Sequence, residues 1–359
     1  MCLFIFQIKM NNKFSKSNNP LSNRNKLSHS NSTSSNSHNF RETTPVKLNY
    51  SLNEGHYISE GVRIINLFKE TDHSKLYLAL IEEIDEIIVI KAVEYNPKNY
   101  KDKQLISIFS SQIEKVYKLC HENILSYYDF KLFRHKTEQP LQKNSSSSQT
   151  SPLLWNNIML IYMENFPDST SLSTLMYNHN KKNPKMKGLK MIQIIPIIKG
   201  LLNALQYLHK NDIIHKRIIP KCILMNEGLT KIKLIQYALN TNEFNVQTFP
   251  YYSSPELSLN IKVTKACDIW SVGCVLFEMF TGYRPYCGKE GIDPLFCLTQ
   301  GISPIEAAND ELKDLLYEKK NRVVLNFMLQ CFRPIQGQRP FVEELLKHPF
   351  LKNEDEVNE

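Results

Sequence analysis

Glycine is scarce in this chain, with 11 residues in 359, about half the usual share near 7%. None lies between Gly61 and Gly188, so that stretch holds no glycine loop of the kind that cradles phosphate. The eight cysteines, at 2, 120, 222, 267, 274, 287, 297 and 331, form no C-x-x-C pair, which excludes a zinc ribbon or dithiol redox motif. No uninterrupted run of 18 apolar residues occurs, and the apolar opening at residues 1–6 is too short, with no basic residue before it, for a secretory leader. These absences lead us to expect a reducing, cytoplasmic or nuclear compartment and no membrane contact.

What is present reads as globular: 42% hydrophobic, 22% charged and 10% aromatic residues. The formal charge of +8 is spread rather than clustered on one segment, so a nucleic-acid interface is not expected. Between residues 11 and 45, 18 of 35 positions are Asn or Ser. Such a segment buries too little apolar surface to offset its ordering entropy, and residues 1–45 are read as a disordered arm. At the other end, Glu354, Asp355, Glu356 and Glu359 make residues 352–359 an acidic tail.

From Gly61 onward, β-branched runs at 62–67, 76–81 and 87–93, separated by polar turns, predict three antiparallel strands. Leu105, Ile106, Phe109, Ile113, Val116 and Tyr117 recur at helical spacing, and apolar runs follow at 124–133 and 158–163. Residues 134–152, with four serines at 145–148, read as an exposed insertion. Beyond Gly188 the pattern turns helical, with strongly apolar stretches at 191–208 and 266–280 and shorter helices at 310–317, 322–331 and 341–346. Pro196 leaves the start of the first of these open by about a turn.

Several short segments occur in a fixed order: Ile87-Ile88-Val89-Ile90-Lys91, His121-Glu122-Asn123-Ile124-Leu125, Tyr162-Met163-Glu164-Asn165, Tyr207-Leu208-His209, and His215-Lys216-Arg217. Ser254-Pro255-Glu256, Asp268-Ile269-Trp270-Ser271-Val272-Gly273 and Arg339-Pro340 complete the series. Together they resemble the protein kinase family over residues 60–351. The resemblance implies an α+β, bilobal protein-kinase-like fold, with a small antiparallel-sheet N-lobe carrying one helix (about 60–163) and a larger, mostly helical C-lobe (about 168–351).

The resemblance also implies which residues would carry phosphoryl transfer, and most of them are altered. Lys69, Thr71 and Ser74 fall at the three glycine positions, with Glu70 and Asp72 among them. Lys91 matches the phosphate-binding lysine, a contact for ATP, but Gln112 stands where its glutamate partner belongs. Met163 and Glu164 match the hinge. In the catalytic loop, Arg217 replaces the aspartate that accepts the substrate proton, Ile219 replaces a lysine and Cys222 replaces a magnesium-binding asparagine. Gln236 replaces the aspartate that chelates magnesium. Arginine stays protonated at neutral pH and an amide is a weak ligand for a hard cation. Catalytic residues therefore read as none intact, and metal ligands as none.

The structural positions are kept. Glu256 and Arg339 match a buried ion pair, Asp268 matches the anchor of the catalytic-loop backbone, and Val116, Tyr127, His215 and Tyr237 fall on the family's hydrophobic spine. Val89 stands where a small alanine usually meets the adenine ring. The chain is thus expected to be a pseudokinase, an intracellular scaffold or allosteric regulator that binds a protein partner such as an active kinase. It is expected to need no cofactor and to bind ATP weakly, without magnesium. The alternative is a low-activity serine/threonine kinase using nonstandard residues. The His-Lys start of the loop, Tyr237 and the insertion are similar to the kinase-like domain of the amino-acid-starvation sensor acting on translation initiation factor two. The ending Lys347-His348-Pro349-Phe350-Leu351 resembles cascade kinases of the sterile-twenty and eleven types equally well.

Overall fold

A computed structural model describes residues 46–47, 55, 57–59, 61–71, 74–95, 116, 118–137, 154–184, 187–235, 250–287 and 293–352. The disordered-arm reading for 1–45, the acidic tail beyond 352, Gln112 with most of the predicted helix at 105–117, and Gln236 and Tyr237 lie outside the described residues. Val116 is helical.

The three predicted strands form as β3 (Val62–Thr71), β4 (Ser74–Ile81) and β5 (Glu86–Tyr95). Among the described residues they sit in a sheet ordered β1-β6-β7-β5-β4-β3-β2, with β1 Val46–Lys47, β2 Tyr57–Ser59, β6 Tyr127–Thr137 and β7 Leu154–Glu164. The pairing is antiparallel except where β1 lies parallel to β6. The two-residue period splits the side chains between two apolar clusters. Ile88, Ile90 and Ala92 pack with Ile64, Ala79 and Tyr162 on one face, while Val89 and Val93 pack with Tyr127, Ile161 and Met163 on the other.

The expected insertion begins later than the sequence suggests. Residues 134–137 continue β6, pairing to Thr137↔Leu154, because ladder hydrogen bonds need only backbone groups and tolerate polar side chains. Residues 138–153 lie outside the described residues.

The C-lobe is built on two apolar helices. These are α2 (Met191–Lys210) and α4 (Ala266–Thr281); α1 (Leu172–Lys182) precedes α2, and between α2 and α4 the chain adds β9 (Ile223–Asn226) and β10 (Ile232–Leu234), which form a small sheet with β8 (Ser169–Ser171). The helix α2 starts at Met191 and carries Pro196 inside it. Proline there removes one donor to the carbonyl of Ile192, a residue on the exposed side of the helix. Asn211 closes the other end, its Nδ2 donating to the Tyr207 carbonyl at 2.8 Å. By length and composition α2 is apolar enough to cross a bilayer, although Gln193, Lys199, Asn203 and Gln206 interrupt its apolar run. Here eleven of its residues, from Ile194 to His209, are buried in the lobe. The remaining helices are α3 (Pro255–Ser258), α5 (Pro294–Thr299), α6 (Asp310–Tyr317), α7 (Arg322–Cys331) and α8 (Val342–Leu345).

Among the described residues, backbone bonds stitch the two lobes together. Ile124 bridges Leu234 in parallel, with Leu125 N donating to Leu234 O at 3.0 Å and Leu234 N to Asn123 O at 2.8 Å. The Asn123 Nδ2 adds a bond to Ile232 O at 3.0 Å. Gly200 on α2 permits this close approach: a Cβ there would lie 3.1 Å from the Ile232 Cβ and 3.4 Å from the Asn123 Nδ2.

Candidate functional site

The loop 213–222 follows α2 and enters the turn Pro220–Cys222. Its first half hangs on one carboxylate. Asp268, fully buried near the start of α4, accepts from His215 N at 2.9 Å, from Lys216 N at 2.7 Å and from His209 Nε2 at 2.8 Å. The bond to Lys216 holds a non-glycine residue at φ +64°, a left-handed conformation that side chains disfavour. A buried carboxylate with three nitrogen donors, and the Cys267 thiol at 3.7 Å, is a rigid post, because charge-assisted bonds in a dry site are costly to break.

His215 fixes the loop from its other side. Its Nδ1 accepts from Arg217 N at 3.3 Å, so the proton sits on Nε2, which donates to Ile235 O at 2.9 Å. Burial holds this imidazole below the usual histidine range, with the charge on Asp268 acting in the opposite sense. It is neutral at physiological pH.

Beyond His215, side chains turn into the core. Ile219 is 3% exposed and Cys222 is inaccessible, both within the main C-lobe cluster with Ile218 and Ile223. Cys222 O accepts from Ile235 N at 2.8 Å, tying the loop to the strand leading toward Gln236. Arg217 is half-buried and Lys216 and Lys221 are exposed.

These residues do not fit a magnesium ion. Mg²⁺ demands hard oxygen ligands in octahedral geometry, whereas Cys222 offers a thiol packed among isoleucines. Among the described residues, no group of three or more His, Cys, Asp or Glu side chains is arranged to hold a metal.

On the N-lobe side, Lys91 pairs with Leu76 on β4 and Ile161 on β7. The alternation along β5 puts it on the same face as Val89 and Val93. Leu76, Leu78, Phe166 and Ile235 pack on that cluster together with Val89 and Met163. At the glycine positions, β3 and β4 stay paired through Lys69↔Leu76, Glu70↔Lys75 and Thr71↔Ser74. Glu70 is paired with Lys75 at 2.9 Å, which offsets part of its charge within the hairpin. The hinge Glu164 is engaged as well: its carboxylate takes Ser126 N at 3.0 Å and Lys233 Nζ at 2.8 Å. Burial raises the pKa of Tyr127, which packs between lobes in the same cluster.

The large-lobe ion pair is bidentate. Arg339 Nη1 and Nη2 donate to the two Glu256 oxygens at 2.6 and 2.9 Å, and the guanidinium is fully buried. Its remaining donors reach the carbonyls of Arg333 at 2.8 Å, Ala266 at 3.0 Å and Pro334 at 3.2 Å, and the group lies 4.9 Å from the Trp270 ring centre. Just before Glu256, the Tyr252 hydroxyl donates to Glu278 and the Tyr252 carbonyl accepts from Ser271 Oγ at 2.8 Å.

The sequence carried no sign of the Glu164–Lys233 pair or the Tyr252–Glu278 bond. His209 belongs to a motif that supplied its position without its role as a partner of Asp268.

Comparison with known proteins agrees with this architecture. The family described as "Protein kinase domain" matches residues 70–351. MAP3K epsilon protein kinase 1 of Brassica napus is 30% identical over 287 residues, covering 78% of this chain and 19% of that protein. Mitogen-activated protein kinase kinase kinase mkh1 of Cytospora mali is 25% identical over 302 residues, covering 80% and 14%. Cytokinesis protein sepH of Aspergillus niger is 28% identical over 284 residues, covering 77% and 18%. The chain therefore spans less than a fifth of the length of these relatives. With the match over 70–351 and the two-lobed architecture, the chain belongs to the protein kinase domain family.

Proposed function

We propose that this kinase-fold chain works in kinase signalling as a pseudokinase, a protein-binding scaffold or allosteric regulator that does not transfer phosphate. One observation supports it above the rest. The Asp268 post holds the catalytic loop in place, yet the positions that do the chemistry carry Arg217, a buried Ile219 and a buried Cys222. Positioning is what a kinase backbone supplies, but transfer also needs a proton acceptor and charge neutralisation of the phosphates. An arginine cannot accept the proton. Without a magnesium site, ATP would be held through Lys91 alone, weakly and with no dependence on the metal. The partner in this reading is an active kinase. Five buried cysteine thiols favour a reducing compartment, the cytoplasm.

The names of the relatives favour a second reading, since each sepH or MAP3K counterpart is far longer and several are called kinases. In that reading the chain is a low-activity serine/threonine kinase. Phosphotransfer from ATP, with and without magnesium, separates the two. We expect no transfer above background, and none restored by Arg217→Asp, which adds a base but no metal site. Autophosphorylation that disappears in Lys91→Ala would establish the enzyme instead.

A further inference from the structure

The turn at the opposite end of α2 from the catalytic loop concentrates positive charge that the even spread along the whole sequence hides. From Ser169 to Asn211 the chain has seven lysines and no carboxylate, where about four carboxylates would be expected at its own rate of 36 in 359 residues. Lys181 and Lys182 end α1, Lys187 lies in the connection, and Lys190 caps the start of α2. All four are exposed, and none makes an ion pair among the described residues. Lys190 stands at the positive end of the helix dipole, where a cation costs stability.

The fold holds this turn firmly against the end of α4. Asn180 is the clamp: its Oδ1 accepts from Gly188 N at 3.4 Å and its Nδ2 donates to Gly282 O at 3.1 Å. Leu189 N adds a bond to Met279 O at 2.7 Å. Two of the chain's few glycines permit the approach, Gly188 at φ +88° and Gly282 at φ +74°. A Cβ on the first would strike the Phe280 carbonyl, and one on the second would lie 2.5 Å from Lys187 Cβ. The Lys187 ammonium sits 4.2 Å from the Tyr283 ring centre and donates to the Tyr283 hydroxyl at 3.0 Å. That neutral partner orders the ammonium and leaves its charge uncancelled. Glu278, one turn before Gly282 on α4, is already taken by the Tyr252 hydroxyl.

We propose that this turn binds a carboxylate-rich segment of a partner protein. Four exposed cations within ten residues, on a frame set by backbone and Asn180 bonds, complement closely spaced Asp and Glu side chains, and such complementarity steers a partner and fixes its orientation. A nucleic acid is the poorer occupant, because Lys187 already lies over the Tyr283 ring on which a base would stack. The inference goes beyond the scaffold reading and does not depend on whether the chain transfers phosphate.

The test is fluorescence anisotropy with the full chain. The probe is a fluorescein-labelled peptide of alternating Glu and Ser, compared with the same peptide carrying Gln for Glu. The acidic peptide is expected to bind about ten-fold tighter than the neutral one, with an advantage that shrinks as salt rises. Combining Lys181→Gln, Lys182→Gln, Lys187→Gln and Lys190→Gln should cost about ten-fold, whereas Lys231→Gln, Lys262→Gln, Lys319→Gln and Lys347→Gln, at four exposed positions elsewhere, should leave binding unchanged. Should loss of the Lys187–Tyr283 contact prevent folding, as a thermal melt would show, the variant with only Lys181, Lys182 and Lys190 changed decides the matter, with an expected loss of about five-fold. Equal binding of both peptides, or equal losses in the two lysine sets, overturns the proposal. Tighter binding of an RNA oligonucleotide or of phosphatidylserine vesicles through the same four lysines overturns it in favour of that occupant. A chain cut after Lys352 that binds the acidic peptide when the full chain does not overturns it in favour of the chain's own carboxylates at 354–359.

Discussion

Glu256→Ala removes the carboxylate from a guanidinium that has no solvent to turn to. Arg339 is fully buried, and of the five bonds it makes, the two to Glu256 carry the compensating charge. Three carbonyls and the Trp270 ring remain. They orient the cation without neutralising it. Breaking a buried pair by deleting one partner costs about 3 to 5 kcal/mol, against about 0 to 1 for an exposed pair. For a domain of about 280 residues that corresponds to a fall in Tm of about 5 to 9 °C. Arg339→Ala should cost at least as much, since it strands the carboxylate and three carbonyls and opens a cavity beside Trp270. The double variant should fall well short of the sum, by about 2 kcal/mol or more, because each single change already loses the shared interaction. Urea melts of the two singles and the double measure all three terms. Losses below about 1 kcal/mol that add independently would refute the reasoning and remove the ion pair as a support of the large lobe.

Asp268→Asn keeps the shape but replaces an acceptor of three bonds with a group that is half donor. We expect a loss of about 2 to 3 kcal/mol and faster amide exchange at His215 and Lys216, and unchanged protection at those two amides would contradict the post. The His215 imidazole, held neutral by burial, binds fewer protons in the folded than in the unfolded state. Its contribution is therefore intact above about pH 6.5 and is lost as pH falls below that value toward the folded pKa; an NMR titration of its ring with a midpoint at or above 6.5 would reverse the sign. Gly273→Ala should destabilise by about 1 to 3 kcal/mol, since a Cβ there would lie 2.8 Å from Cys331 Cβ and 2.9 Å from the Phe332 ring, and a thermal melt matching the parent would show that α4 and α7 have room to part. Removing residues 11–45 should leave Tm unchanged, as their Asn- and Ser-rich composition offers no core; a drop of many degrees would refute that reading.

The sequence disclosed elements where local chemistry decides them. The strands at 62–71, 74–81 and 86–95 announce themselves through β-branched alternation, and the helices at 310–317 and 322–331 through their apolar spacing. The helix at 172–182 did not, since it buries only Leu172 and Met176 and ends in polar Asn-His-Asn-Lys-Lys. Pro196 left the start of the long helix open by about a turn, and the helix begins at Met191 with Ile194 and Ile195 buried beside the proline. Pairings between distant residues are a different matter. Glu256 and Arg339, 83 positions apart, leave no local trace and were approached only through family resemblance. The Asn123–Ile232 stitch and the Glu164–Lys233 pair had no motif to reveal them, because both depend on how the lobes meet.

The long apolar helix at 191–210 has a consequence for biosynthesis. One of its two main partners, the helix ending at Thr281, is translated roughly seventy residues later. At about 5 to 20 residues per second, the ribosome leaves it without that partner for several seconds. During that interval a segment apolar enough for a bilayer is available to chaperones and to the insertion machinery alike. Ribosome-bound intermediates halted between residues 211 and 281 should therefore be the stage at which this chain most needs a holdase.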